Sequence, residues 1–265
     1  MEGVAHKFLV LSGKGGVGKS TIAVNLAVWL SMQDNKVGLL DIDIHGPSIP
    51  KLLNLEHKNI QAKGDKISPI SYSSTLKIMS IGFLLPQESD AVIWRGPMKH
   101  NLIRQFVTDV TWGHLDYLVV DCPPGTGDEP LSAIQLLGKA DGAIVVTTPQ
   151  QIAVIDVKKC ITFCKQLNLS VLGVIENMSG LICPNCQHRI NVFKTGGGEQ
   201  MAKEFNVPFL GSIPLDTAMV SACDSGRPFI QLNRQSPTAQ AISSAFELLL
   251  KSSREIQIDK ETKVR

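Results

Sequence analysis

The sequence predicts an α/β fold, a doubly wound and mostly parallel sheet. Strand-like runs that are apolar throughout, such as Leu118-Val119-Val120 and Ile144-Val145-Val146, alternate with helical segments along the 265 residues. Such runs lack the in-and-out alternation of a half-exposed strand, as expected where helices cover both faces. The first run, Phe8-Leu9-Val10-Leu11, also leads through a glycine-rich turn into an apolar-periodic stretch, Ile22 to Leu30, which makes a strand–loop–helix unit.

The later strands read as Lys36 to Leu40, Lys77 to Ser80, Tyr117 to Val120, Ala143 to Thr147 and Val171 to Ile175, with helices near 97–110, 128–138 and 151–167. A chain of this length with 43% hydrophobic residues buries roughly 70–75% of its unfolded surface, so one domain, 1–252, suffices. Two regions break the rhythm. One is polar, 54–75; the other is an insert at 177–198 that holds Cys183-Pro184-Asn185-Cys186 and Gly196-Gly197-Gly198. A last helix is expected at 237–252, and the charged segment 253–265 reads as a flexible tail.

Gly13-Lys14-Gly15-Gly16-Val17-Gly18-Lys19-Ser20-Thr21 satisfies the phosphate-loop pattern through Gly13, Gly18, Lys19 and Ser20. This makes the predicted fold that of a P-loop NTPase. Glycines let the backbone wrap a phosphate closely, the helix start offers free N–H groups and a positive dipole end, Lys19 adds a point charge and the Ser20 hydroxyl can ligate Mg²⁺. Ligands of doubly wound sheets lie at the carboxyl ends of strands, where Asp121 follows Asp116-Tyr117-Leu118-Val119-Val120 and can reach Mg²⁺. Cys122-Pro123-Pro124-Gly125-Thr126-Gly127-Asp128 then combines stiff and permissive residues, a composition suited to a loop with two positions. Asp41 and Asp43 leave the second strand, and a carboxylate there can orient the attacking water or accept its proton. Asn177 follows the fifth strand of the later set; its amide could pair with adenine or cap a turn.

Lys14 resembles the signature lysine of the deviant-Walker P-loop ATPases, the class of MinD and ParA proteins. That resemblance implies a dimer in which Lys14 reaches the partner's nucleotide, an arginine-finger device. It also implies that Asp43, rather than Asp41, positions the water and touches magnesium, that Asn177 reads adenine, and that the segment after Asp121 is a switch loop.

Cys183 and Cys186 bring two thiolates to one metal, half of a four-ligand site. His188 could add a third ligand, but no second C-x-x-C exists in the chain. Cys160 and Cys164 share a helical face with apolar neighbours and read as packing, Cys122 lies in the nucleotide loop, and Cys223 near a late turn. Two copies of the Cys183–Cys186 pair across a two-fold axis would supply four thiolates.

Together these motifs resemble the Mrp/ApbC/Nbp family of iron–sulfur cluster carrier ATPases, in its short form. The match includes Asp41-Ile42-Asp43-Ile44-His45-Gly46-Pro47-Ser48, Trp94-Arg95-Gly96-Pro97, Glu176-Asn177-Met178-Ser179 and Gly211-Ser212-Ile213-Pro214-Leu215-Asp216, and runs over about 7 to 250. The resemblance implies ATP and Mg²⁺ as cofactors and a [4Fe–4S] cluster held between two subunits. It further implies a homodimer, or a heterodimer with a longer member, that delivers the cluster to apoproteins.

A net charge of +2 with mixed signs gives no electrostatic footprint for nucleic acid or anionic membrane. No apolar run approaches a membrane span, and the first strand follows the N-terminus too closely for a signal peptide, so a cytoplasmic protein is expected. The rival reading is a MinD/ParA-like spatial organiser whose cysteine pair is a structural zinc clamp.

Overall fold

The computed structural model describes residues 3–64, 66–84, 96–183, 185–186, 188–193 and 195–264. The chain runs through β1 (Val4–Leu11), α1 (Lys19–Ser31), β2 (Val37–Asp41), α2 (Ile49–Leu52), β3 (Gln61–Lys63), β4 (Lys66–Ser68), β5 (Ile70–Ser71) and β6 (Leu76–Ser80). It continues through α3 (Gly96–Thr108), β7 (Leu115–Asp121), α4 (Asp128–Leu137), β8 (Gly142–Thr147), α5 (Gln151–Gln166) and β9 (Val171–Glu176). The last part comprises β10 (Leu181–Ile182), β11 (Arg189–Ile190), α6 (Gly197–Glu204), β12 (Phe209–Ser212), α7 (Thr217–Asp224), α8 (Phe229–Leu232) and α9 (Pro237–Val264).

Eight strands form one sheet in the order β12-β9-β8-β1-β7-β2-β6-β5. All its pairs are parallel except β5 with β6, whose short antiparallel run at the edge comes from the polar region 54–75. The same region holds the antiparallel hairpin β3–β4. The mostly parallel, doubly wound sheet expected from the apolar runs is therefore present.

The pleat explains why those runs are apolar throughout. Phe8 and Val10 enter the core under α1 and α9, whereas Leu9 and Leu11 enter the core under α3, α4 and α5. On the first face every residue of α1 from Ile22 to Leu30 is buried, and Trp29 meets Phe246 of α9 edge to face at 5.7 Å between centroids. One polar residue in that helix is satisfied on both ends: Asn25 donates to the Thr21 carbonyl at 2.8 Å and accepts from Ile230 N at 2.9 Å.

The sheet order places β1 at the centre, flanked by β7 and β8, so its carboxyl end opens where the strand order reverses. The register aligns the neighbours there: Val10 and Asp41 both pair with Asp121. Three strand ends thus converge on one point.

The final helix differs from expectation. It does not stop near 252 but extends to Val264, because Ser252 and Ser253 are buried on the sheet rather than ending the helix. Ser252 Oγ donates to the Leu172 carbonyl of β9 at 2.7 Å, and Gln257 Nε2 donates to Asp141. The segment read as a tail continues the helix that closes this face. Ser252→Ala should cost about 1 kcal/mol of unfolding free energy. Denaturant titration checks this, and an unchanged midpoint would mean that the helix beyond Ser252 is not docked.

Candidate functional site

The turn after β1 is built so that the main chain itself faces a ligand. Gly18 precedes α1 with φ 82° and Gly16 has φ 78°, a left-handed conformation that side chains rarely adopt. A Cβ at Gly16 would meet nothing, but one at Gly18 would collide with the side-chain amide of Asn177. Gly13 is fixed differently, by the main chain of Asp156 in α5, so only glycine lets the loop pack there. Ser12 Oγ braces the turn by donating to the Lys14 carbonyl at 2.9 Å. With Val17 buried beneath and the unpaired N–H groups of the first turn of α1 above, the loop is a preformed anion cradle.

Lys19 lies at the centre of the site, only 6% exposed. Its Nζ donates to Asp121 Oδ1 at 2.6 Å and stands 3.4 Å from Asp43 Oδ2 and from Ser20 Oγ. Burial would push the ammonium pKa down, but Asp121 and Asp43 outweigh it and hold Lys19 above the usual lysine value. Burial raises Asp121, against the pull of Lys19. Asp41 is pushed up to about 8, first by burial and then by the Asp121 charge. Its two oxygens accept from Ser80 Oγ at 2.7 Å and from Asp43 N at 3.1 Å, which fixes the turn that presents Asp43.

The second Asp121 oxygen, Oδ2, is buried and has no hydrogen-bond partner. An orphaned carboxylate oxygen beside Asp43 and the Ser20 hydroxyl is a hard, oxygen-only donor set, which fits magnesium. Even with Asp41 holding its proton, the carboxylates of Asp43 and Asp121 face a single ammonium, so an added divalent cation suits the charge of the cluster.

Two further contacts extend the site. Lys14 Nζ donates to Gln150 Oε1 at 3.4 Å, which leaves its ammonium at the rim of the loop. His45, whose N–H donates to Asp43 Oδ1 at 3.3 Å, has its ring 3.3 Å from Glu129 Oε1, and Lys99 Nζ joins both. The Lys99 bond, then burial and the His45 bond, set the Glu129 carboxyl, with the net result below the usual carboxylate range. This triad ties the loop after Asp43 to the start of α4. Neither Lys99 nor Glu129 was singled out from sequence, because their pairing depends on how α3 meets α4. Of the motif Trp94-Arg95-Gly96-Pro97, the first two residues lie outside the described ones.

Asn177 is buried against the phosphate loop. Its N–H donates to the Thr147 carbonyl at 2.7 Å, and its Nδ2 donates to the Val17 carbonyl at 2.9 Å. That contact engages the side chain with the loop itself and leaves Oδ1 and the second N–H for a base.

The cysteine pair is on a separate projection. β10 and β11 form a two-stranded hairpin, and Cys183 N donates to the His188 carbonyl at 3.0 Å to close it. Cys183 is partly exposed and Cys186 exposed. The backbone N–H groups of Cys186 and Asn185, with the Cys186 side chain, hold the Cys183 thiol below its usual pKa. Such N–H groups converging on sulfur favour the thiolate, the form that binds metal. No group of three His, Cys, Asp or Glu that could hold a metal occurs among the described residues, so His188 does not complete the pair. Cys160 and Cys164 are buried within α5, and burial raises the thiol of Cys122. Cys223 is half-buried, its sulfur 3.9 Å from Thr21 Oγ1.

Glu176, quoted above only as part of a motif, is the residue that sequence left without a role. It ends β9 fully buried and accepts from Ser179 Oγ at 2.6 Å, Gly198 N at 2.7 Å and Gly196 N at 3.1 Å. A carboxylate followed by Asn and then by a cysteine insert gives no local pattern; the contact needs the fold.

A family model described as the NUBPL iron-transfer P-loop NTPase matches residues 3–250. The chain belongs to that family. It is a nucleotide-hydrolysing enzyme, an ATPase of the P-loop class with a MinD/ParA-like fold. It is 52% identical over 233 residues to the iron–sulfur cluster carrier protein of Methanocaldococcus jannaschii, spanning 88% of this chain and 80% of that one. It is 50% identical to the cytosolic Fe–S cluster assembly factor NUBP2 homolog of Nematostella vectensis, covering 92% of each chain. The nucleotide-binding protein of Archaeoglobus fulgidus, solved in complex with ADP, superposes with a TM-score of 0.77 at 38% identity, over 90% of this chain and 92% of that one. Among the described residues no helix is long and apolar enough to cross a membrane.

Two outcomes follow from the ionic cluster. Lys19→Ala should weaken ATP binding by at least about tenfold, whereas Asp43→Asn should keep binding and lose hydrolysis. Calorimetric affinity and steady-state turnover separate the two, and equal turnover in wild type and Asp43→Asn would remove Asp43 from catalysis. The second concerns pH. Asp41 is raised from its ordinary 3.8 to about 8, so between those values the unfolded state binds fewer protons than the folded one. Its contribution to stability is complete below the lower value and is lost as pH rises through the upper one. Urea unfolding of the nucleotide-free protein from about pH 5 to about pH 8 should therefore show a downward slope that Asp41→Asn reduces, and identical slopes would contradict a protonated Asp41.

Proposed function

We propose that the protein is an ATP-dependent iron–sulfur cluster carrier that binds a [4Fe–4S] cluster between two copies of the chain and delivers it to apoproteins. The observation that carries this reading is the knuckle at Cys183 and Cys186: two accessible thiols on a short hairpin, one of them biased toward thiolate, and no third ligand grouped with them among the described residues. One chain supplies half of a four-thiolate set, and a two-fold axis supplies the other half. Thiolate ligation suits iron–sulfur cargo, and an exposed edge suits a cargo that must leave. The names of the relatives agree with this cargo and lend nothing to the spatial-organiser reading.

ATP is bound with its phosphates over Gly13 to Thr21, where the loop N–H groups and Lys19 stabilise negative charge. Magnesium, held by Ser20, Asp43 and Asp121, would neutralise the phosphates when bound. Asp43 orients the attacking water, held in place by the N–H of His45 and by the Asp43 N–H bond to Asp41. Lys14, at the loop rim, reaches the nucleotide of the partner subunit and stabilises charge in the transition state. Asn177 offers its remaining amide groups to adenine. The same two-fold contact therefore completes both sites. The partner is a second copy of the chain or a longer family member, and the cytosol is the compartment assigned.

Replacing both Cys183 and Cys186 by alanine should abolish iron binding after anaerobic reconstitution and leave ATP affinity unchanged. The wild-type protein should hold about four irons and four sulfides per dimer. Zinc in place of iron, or a full cluster on a monomer, would overturn the shared-cluster reading.

A further inference from the structure

Glu176 is a fully buried carboxylate that forms no ion pair among the described residues. Such a group is tolerated only where hydrogen bonds replace its hydration. Its donors come from both stems of the cysteine insert. Ser179 lies two residues before β10, while Gly196 and Gly198 lie beyond β11, at the start of α6. Ser212 Oγ of β12 adds a longer contact at 3.5 Å. Gly196 is the N-cap of α6 and provides no side chain, so Glu176 performs the capping from a distant strand, with its charge at the positive helix end. One carboxylate therefore clasps the two ends of the segment that carries Cys183 and Cys186.

The residue after it makes the connection to nucleotide. Asn177 donates to the Val17 carbonyl and fills the space where Gly18 has no Cβ. Loop, Asn177, Glu176 and the two hairpin stems are thus consecutive contacts, and the residues that make them, Val17, Asn177, Glu176, Ser179 and Gly198, are buried. A phosphate that tightens the main chain around Val17 and Gly18 acts on Asn177, and a shift of Asn177 acts on its covalent neighbour.

We propose that Glu176 is a positioning residue that couples occupancy of the phosphate loop to the geometry of the cysteine hairpin. The inference rests on the nucleotide and cluster reading above, but concerns the apoprotein and can fail separately. With nucleotide bound, the stems are held by Glu176 and the hairpin opens less often, so an alkylating reagent reaches the two sulfurs less often and the thiols react more slowly.

The test is the alkylation rate of Cys183 and Cys186 in the full-length, cluster-free protein, followed by peptide mass spectrometry with and without magnesium and a non-hydrolysable ATP analogue. Cys223, beside Thr21, reports nucleotide binding in the same sample. In wild type the nucleotide should slow the hairpin thiols by about fivefold or more, the range of ordinary site-to-site coupling. Glu176→Gln should retain analogue affinity and the Cys223 response but lose the hairpin response. Ser179→Ala, which removes one donor and spares the carboxylate, should give a partial loss and stands in if Glu176→Gln fails to fold. Hairpin rates indifferent to nucleotide in wild type, or equally dependent on it in folded Glu176→Gln and Ser179→Ala, would overturn the coupling. Iron content measured in parallel keeps the two ideas apart: a protein that takes up no iron yet shows the Glu176-dependent response supports the coupling while removing the carrier reading.

Discussion

A buried lysine among carboxylates is the constraint on which the rest of this molecule depends. Lys19 is removed from water, and the neighbouring carboxylates, Asp121 and then Asp43 foremost, keep it protonated. Those carboxylates are there because a parallel sheet aligns its strand ends: β2 and β7 pair Asp41 with Asp121, and β1 delivers the phosphate loop beside them. The sheet order is thus an electrostatic requirement as well as a packing solution. Removing one charge would leave its partners buried and unpaired, which costs more than the pair contributes. The cluster still holds more negative than positive charge. Asp41 relieves part of the excess by keeping a proton, and the orphaned oxygen of Asp121 is the feature that fits the proposed magnesium.

Much of the fold was legible because its signals are local. Strands buried on both faces must be apolar at every position, and a phosphate loop must place glycine where the main chain turns left-handed, so Phe8 to Leu11 and Gly13 to Ser20 announced themselves. Asp43, Asp121 and Asn177 could be proposed for a related reason: each lies within three residues of the end of an apolar run, and ligands of such sheets gather at strand ends. What could not be read depends on contacts distant in sequence. Ser252-Ser253 resembles a helix stop, yet both side chains are buried and one bonds to β9, so the helix continues to Val264. Glu176 looks like any polar strand end until α6 and Ser179 close around it. The link between His45, Lys99 and Glu129 requires α3 and α4 side by side.

The two halves of the chemistry are physically adjacent. β9 ends in Glu176, Asn177 follows, and these two residues face a cysteine hairpin on one side and a phosphate loop on the other. An insertion at this strand end places the proposed cargo site within a few contacts of the phosphate loop, with no long path through the core. The cysteine pair and Lys14 share a further property, since each is half of a function: two thiolates of four, and a cation at the rim of its own loop. In the proposed dimer a single two-fold contact supplies both missing halves, so that one assembly would serve catalysis and cargo together.

Trans action by Lys14 is the point on which that unity depends, and mixing two inactive variants tests it most directly. Lys14→Ala retains its own Asp43, and Asp43→Asn retains its own Lys14; in a mixed dimer, one of the two sites then contains both groups. Delivery across the interface predicts that the variants, inactive separately, recover part of the wild-type ATPase rate when combined and allowed to exchange subunits. If exchange is demonstrated and the mixture stays as inactive as either variant alone, Lys14 acts on its own nucleotide and the shared-interface account is wrong.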